Sequence, residues 1–402
     1  MNTANVLFIM LSSILVFFMT PGLAFFYGGL VPRRNMVNTF VSVFFICGLA
    51  VILWVLVGYS LSFSGNVWGI TGNLNEALLK HVNLHQLMAG IHIPVGLYSL
   101  YQMMFAIITP ALFIGAIVGR VRLSFLAAFI VAWSGLVYYP LVHMVWGGGI
   151  LQHLGTLDFA GGTVVHINAG VTALVLSIVI GPRLKQTDHH DNQALVLLGT
   201  AMLWLGWYGF NAGSALAIND VAIQAMLTTT VATAAAMVAW QGLEIFFKPN
   251  LTLVGSCTGA LCGLVAITPA TGYVTIVGAL IIGAGASVIS YWFVEFVKPK
   301  LKIDDTLDAF GCHGVSGIWG SLATGLFATS QINPAVMHNG LFYGGGWTQL
   351  GLQTLATVVT ILYAFVMGWL IVKVLQKVMP VRLSARDEAQ GWVGIKDLVE
   401  EV

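Results

Sequence analysis

The sequence predicts an all-α integral membrane protein of eleven transmembrane helices, and two observations carry that prediction. Of its 402 residues 58% are hydrophobic and only 8% charged, with mean hydropathy +0.90, where soluble domains carry about 25% charged residues. Eleven apolar runs also approach the roughly 20 residues that cross a bilayer. They lie near 6–30, 37–63, 96–119, 123–145, 161–181, 193–218, 221–246, 252–270, 273–297, 307–329 and 347–379. A formal net charge of +1 excludes the basic footprint of a nucleic-acid-binding protein. Cys47, Cys257, Cys262 and Cys312 fall inside apolar runs without metal-ligand spacing and read as small buried hydrophobes.

No Lys or Arg precedes Arg33, so the first run lacks the charged start of a cleavable signal and reads as a retained span. Cytoplasmic loops carry the excess of Lys and Arg. Arg33, Arg34, Arg120, Arg122, Arg183, Lys185, Lys248, Lys298, Lys300 and Lys302 all fall in odd-numbered connections, and Lys373, Lys377, Arg382, Arg386 and Lys396 near the C-terminus; Lys80 alone opposes them. This places the N-terminus outside and the C-terminus inside. Residues 1–380 form one helical domain and 381–402 a short cytoplasmic tail. Eleven spans then divide into two five-helix repeats of opposite orientation plus a final helix, an arrangement that puts a site at the repeat interface near the midplane.

Two segments bring ionisable groups into that setting: Asp158-Phe-Ala-Gly-Gly-Thr-Val-Val-His166-Ile-Asn-Ala-Gly170 and, as a partial echo, Asp308-Ala-Phe-Gly-Cys-His313-Gly-Val-Ser-Gly317. Such groups persist in a membrane where they pair, line a cavity or handle a proton or ion. On a helix His166 shares its face with Gly162, Thr163, Ala169, Gly170 and Ala173, and His313 with Ser316, Gly317 and Gly320. Both therefore face small residues, as at a close helix contact or a narrow space, and not lipid. Asp158 sits at the outer end and Asp308 at the inner end, where capping a helix is the plainer role for each. The loop pair His81 and His85, and the run Asp188-His189-His190-Asp191, lack the ligands that would complete a metal site.

On the outer side Phe105 lies mid-span, Trp146 ends the fourth run before Gly147-Gly148-Gly149, and Phe210-Asn-Ala-Gly-Ser214 occupies the outer half of the sixth. Aromatic faces attract a small cation, and a hydroxyl accepts one of its donors. Singly, each aromatic is an ordinary core or interfacial residue.

Together, the Asp158 element with His166, the Asp308 element with His313, the Phe210–Ser214 run and the Trp146 end resemble the Amt branch of the Amt/Rh ammonium transporter family, over all eleven spans. The resemblance implies an ammonium transporter, not an enzyme, without cofactor or metal, in the plasma or inner membrane. Phe105, Trp146 and Ser214 would recruit ammonium or methylammonium with Asp158 in support, and Phe105 and Phe210 would form a gate. His166 and His313 would share a hydrogen bond in an apolar pore and relay protons while ammonia is conducted. A homotrimer with one pore per subunit and a PII-type signalling protein at the inner face are the implied partners. The tail matches the family signature only at Gly391 and its acidic surroundings, so it carries the PII partner and tail gating less far than the pore. A sensor of the same fold signalling through its tail is the alternative. Rh-type relatives fit the Trp146-Gly-Gly-Gly149 end less well, and a metal-dependent intramembrane hydrolase lacks any His-Glu-x-x-His run.

Overall fold

The computed structural model describes residues 1–88, 90–184 and 192–391, and their regular structure is helical apart from isolated bridges. Nine helices among these residues are long and apolar enough to cross a membrane: α1 (Thr3–Leu30), α2 (Arg33–Phe63), α3 (Val95–Ala116), α4 (Leu123–His153), α5 (Gly162–Ile180), α6 (Gln193–Ala215), α7 (Asp220–Phe247), α9 (Ile276–Leu301) and α11 (Thr348–Val378). Two shorter helices fill the runs expected at 252–270 and 307–329. One is α8 (Leu253–Ile267) and the other α10, a π-helical turn Phe310–Val315 continued by Ser316–Phe327. At about 1.5 Å per residue the 15 residues of α8 fall short of a roughly 30 Å hydrocarbon core. A last short helix, α12 (Ala385–Gln390), lies in the tail. The run Asp188–Asp191 lies outside the described residues, as does the tail beyond Gly391.

Local chemistry explains the breaks in these helices. In α4 a π-helical turn, Ser134–Tyr138, precedes Pro140, which cannot donate back to the carbonyl of Leu136. That carbonyl instead accepts the Tyr363 hydroxyl of α11 at 2.8 Å. Thr252 starts α8 by accepting the Gly255 N–H at 2.9 Å, and Glu244 of α7 in turn accepts the Thr252 N–H at 3.0 Å.

In a bilayer, where lipid is as apolar as Leu, helices associate through small residues that let backbones approach. The decisive contact is between α5 and α10. A Cβ added at Gly170 would lie 2.2 Å from the Gly314 nitrogen and 2.4 Å from its Cα, so the two backbones touch there. Gly320 of α10 meets α8 in the same way, with the Ala266 carbonyl 2.2 Å from the position of an added Cβ.

The end of the bundle that carries Arg120 is held by a charged network. Arg120 is fully buried; its Nη2 donates to the Asp304 carbonyl at 2.9 Å and to Thr306 Oγ1 at 3.1 Å. Burial lowers its pKa to about 10, against the attraction of Asp304. Burial pushes the Asp304 carboxyl upward, but hydrogen bonds from the Arg183 side chain and backbone prevail and hold it below the usual range. The tail joins this network through Glu388, which accepts the Leu184 N–H and the Arg382 guanidinium, each at 2.9 Å. Arg382 also reaches the Ile180 carbonyl at the end of α5 at 3.1 Å.

Gly170→Val places side-chain atoms where the Gly314 backbone now lies. Overpacking of this kind costs about 1–3 kcal/mol, so purified Gly170→Val should unfold several degrees below the parent in a thermal melt, whereas Gly48→Val, at a position with open space, should not.

Candidate functional site

The N-terminus of α5 is built on one carboxylate. Asp158, 7% exposed, accepts the backbone N–H groups of Gly161 at 2.9 Å, Gly162 at 2.6 Å, Thr163 at 2.9 Å and Val164 at 3.3 Å, with the Thr163 hydroxyl as a further donor. Helix N-termini leave such donors unpaired, and a carboxylate there satisfies them with favourable charge. Gly161 makes the approach possible by taking φ +119°, which an L side chain rarely adopts. The turn that follows, Gly162–Ile167, is π-helical and carries His166. The backbone carbonyl of Asp158 also accepts the Trp146 indole N–H at 2.8 Å, fixing that ring.

The second half repeats this design with a different residue from the one the sequence motif points to. The carboxylate of Asp308, the residue that opens the motif, pairs with Lys298. The capping carboxylate is Asp305, which accepts the N–H groups of Ala309 at 3.0 Å and Phe310 at 2.7 Å. The π-helical turn after it, Phe310–Val315, carries His313. Asp305 stands eight residues before His313, just as Asp158 stands eight before His166. Asp305 holds fewer N–H groups, and burial together with the Asp308 charge raises its pKa to about 6.

At the Trp146 end a cavity of about 150 Å³ is lined by Phe105, Trp146 and Ser214 together with Tyr101, Gln102 and Phe159. Phe105 stands edge-on to Trp146, with centroids 5.9 Å apart and planes at 85°. Ser214 donates its single proton to the Phe210 carbonyl at 2.8 Å and has the Tyr101 hydroxyl 3.3 Å from its oxygen, so what it can offer the cavity is a lone pair. Below, Phe105 and Phe210 stack with centroids 4.3 Å apart and close the floor. Asp158 does not line this cavity; its contacts are with Trp146 and the α5 turn.

Under the stacked pair, His166 and His313 face each other with ring centroids 5.4 Å apart and planes 9° apart. They line an apolar space with Leu23, Ile108, Leu203 and Cys312. Its volume of about 10 Å³ is near the minimum for one water-sized molecule. The expected hydrogen bond between the rings is absent, since neither nitrogen of His166 has a partner and Nδ1 of His313 has none. The rings are held by packing instead. Trp207 lies parallel to His166 at 5.3 Å, anchored by its own N–H to Thr268 Oγ1 at 2.9 Å.

A model described as the Ammonium Transporter Family matches residues 7–394. The chain belongs to the ammonium transporter family. It is similar to a Bacillus subtilis ammonium transporter, 42% identical over 97% of this chain and 96% of that protein. It is also similar to the ammonium transporter Amt1 of Archaeoglobus fulgidus, 40% identical over 97% of each chain. Among solved structures, Saccharomyces cerevisiae Mep2 superposes with TM-score 0.87 at 30% identity, over 96% of this chain and 88% of its own. A sensor Amt protein superposes with TM-score 0.89 at 28% identity, over 99% and 98%. The family is one of transporters and not of enzymes.

Within this family fold, the residues read from sequence gather into one column: Trp146 and Ser214 at the mouth, Phe105 and Phe210 beneath, His166 and His313 below them. Sequence reading missed Asp305, although its spacing from His313 was available. It also missed Tyr101, whose hydroxyl meets the Gly209 and Phe210 carbonyls at 2.9 and 3.0 Å and so fixes the Ser214 segment. Gln102 was missed as well; its Nε2 donates to Tyr98 at 3.2 Å and its buried Oε1 has no partner. No pattern in one sequence marks these two residues. No cluster of three or more metal-ligating side chains occurs among the described residues.

The two caps predict an order of damage. Hydrogen bonds to a charged group are each worth about 1.5–3 kcal/mol, so Asp158→Ala should cost most in a thermal melt and Asp305→Ala less. Asp308→Ala, which breaks a partly exposed pair with Lys298, should cost least. A larger loss for Asp308→Ala than for Asp305→Ala would return the capping role to Asp308.

Proposed function

We propose that this protein is an ammonium transporter that captures the ion at the Trp146 cavity, strips its proton near the Phe105–Phe210 pair and conducts ammonia past His166 and His313. The observation that carries this reading is the sequence of environments along one axis: an aromatic and hydroxyl-lined cup, a stacked aromatic floor, then a largely apolar space lined by two imidazoles.

Energetics favours that order of events. Removing an ion from water costs several kcal/mol even after relaxation. Each aromatic face returns about 0.5–2 kcal/mol, and Ser214 and Gln102 add oxygen acceptors. That holds ammonium at the cup without carrying it through the conduit. Neutral ammonia meets no such penalty. The proton takes the imidazoles, which pass protons through two nitrogens and titrate as a coupled pair. With parallel rings and unpaired nitrogens, transfer between them needs a bridging molecule or a small rotation. Potassium has no proton to give up and stops at the floor, so selectivity needs no tight coordination cage.

The wider architecture follows from the same reading. The long helices with α8 and α10 make eleven spans, with the N-terminus and Trp146 mouth outside and the basic Arg120 end in the cytoplasm. The paired Asp-to-His spacings in opposite halves support an inverted repeat. The working unit is a homotrimer in the plasma or inner membrane, each subunit with its own pore, and residues 381–402 are the cytoplasmic tail. Its docking through Glu388 supports an inner face able to receive a PII-type signalling protein. The likeness to a sensor Amt protein admits a sensing role, but the more similar sequences are named as transporters.

Replacing both His166 and His313 by Leu should abolish proton-coupled current while the protein still folds. The measurement is current across proteoliposomes on pulses of ammonium and, separately, of potassium. The parent should give a saturable ammonium current and none with potassium, and the double variant at least tenfold less. An unchanged ammonium-selective current in the double variant would overturn the relay.

A further inference from the structure

The conduit carries a feature that the transport reading does not use. Cys262 of α8 and Cys312 of α10 place their sulfurs 4.0 Å apart. Cys312 lines the same apolar space as His166 and His313, while Cys262 is wholly buried directly behind it, flanked by the Ser290 and Ser316 hydroxyls. Cys47 and Cys257 are also free thiols, outside that lining.

We propose that Cys262 and Cys312 form a two-sulfur site in the conduit wall for a thiophilic metal ion of the Cu(I), Ag(I) or Hg(II) class, and that occupying it closes the pore. Soft thiolates select such ions. A metal–sulfur bond is about 2.3 Å and two-coordinate ions of this class bind in a line, so a bridge parts the sulfurs from 4.0 Å to about 4.6 Å, a shift of about 0.6 Å. A disulfide would require the same sulfurs to close to about 2.0 Å, a displacement that packed helices resist. Mercuric chloride delivers the ion as an uncharged molecule. The exchange balances without redox change. Two S–H and two Hg–Cl bonds break, two Hg–S bonds form, and two chlorides leave. The two protons pass to water or to the unpartnered imidazole nitrogens lining the same space. The bridge lies behind the lining and pushes the Cys312 sulfur into a cavity of about 10 Å³ that holds at most one water-sized molecule.

The test uses the full chain carrying Cys47→Ser and Cys257→Ser, treated with mercuric chloride, washed with a monothiol and assayed two ways. Elemental analysis, with near-ultraviolet thiolate–mercury absorption, should find one mercury per chain, and proteoliposomes should lose ammonium transport at least tenfold and regain it with dithiothreitol. Adding Cys312→Ser should remove both the retained mercury and the inhibition. Adding Cys262→Ser should leave a single thiol that releases its metal in the wash. Equal retention by the Cys262→Ser/Cys312→Ser variant, or two mercury ions per chain in the background protein, would overturn the proposal. The binding arm stands apart from the transport reading, whose failure would appear as absent transport in untreated vesicles.

Discussion

The structure turns on the place where two backbones touch. Gly170 and Gly314 bring α5 and α10 so close that no side chain fits between them. Each helix carries a histidine within four residues of that contact, and the 5.4 Å between the rings follows from it. Spread the helices by the width of one methyl group and the imidazoles part, the conduit widens and water enters. In a membrane, where burying apolar surface gives helices no preference for each other over lipid, such contacts carry the specificity that a hydrophobic core supplies in water.

A carboxylate at the head of each histidine-bearing helix is the second constraint. Both turns are π-helical, and a wide turn leaves its first N–H groups without helical partners. Asp158 and Asp305 collect those donors at equal distances from His166 and His313. The two halves differ in degree: Asp158 gathers twice as many backbone donors and also fixes Trp146, while Asp305 sits beside a second carboxylate and Lys298. The mouth and the far end are thus variations on one local solution.

How much of this was legible in the sequence follows the same physics. Membrane class was plain, because hydrocarbon tolerates little but long apolar helices. The axial residues were legible because polar or aromatic groups at membrane depth stand out against an apolar background. Asp308 misled because it opens a motif resembling that of Asp158; its φ of +55° and its pairing with Lys298 belong to the loop that precedes the helix. Register, and not residue type, marked Asp305. The parallel, unbonded imidazoles were beyond the sequence, since ring orientation depends on Trp207 and Thr268, more than 40 and 100 positions from His166. Tyr101 and Gln102 stayed hidden because their roles exist only in contact with α6 or the cavity.

Asp158 spends its side chain on the turn that bears His166 and its main chain on the indole at the mouth. In the proposed mechanism one residue therefore sets both the grip on the incoming ion and the posture of the group that receives its proton. Capture and chemistry share a single fulcrum, so a lineage that retunes one must retune the other, and changes in substrate preference should arise in the surrounding rings and hydroxyls before they arise at this aspartate.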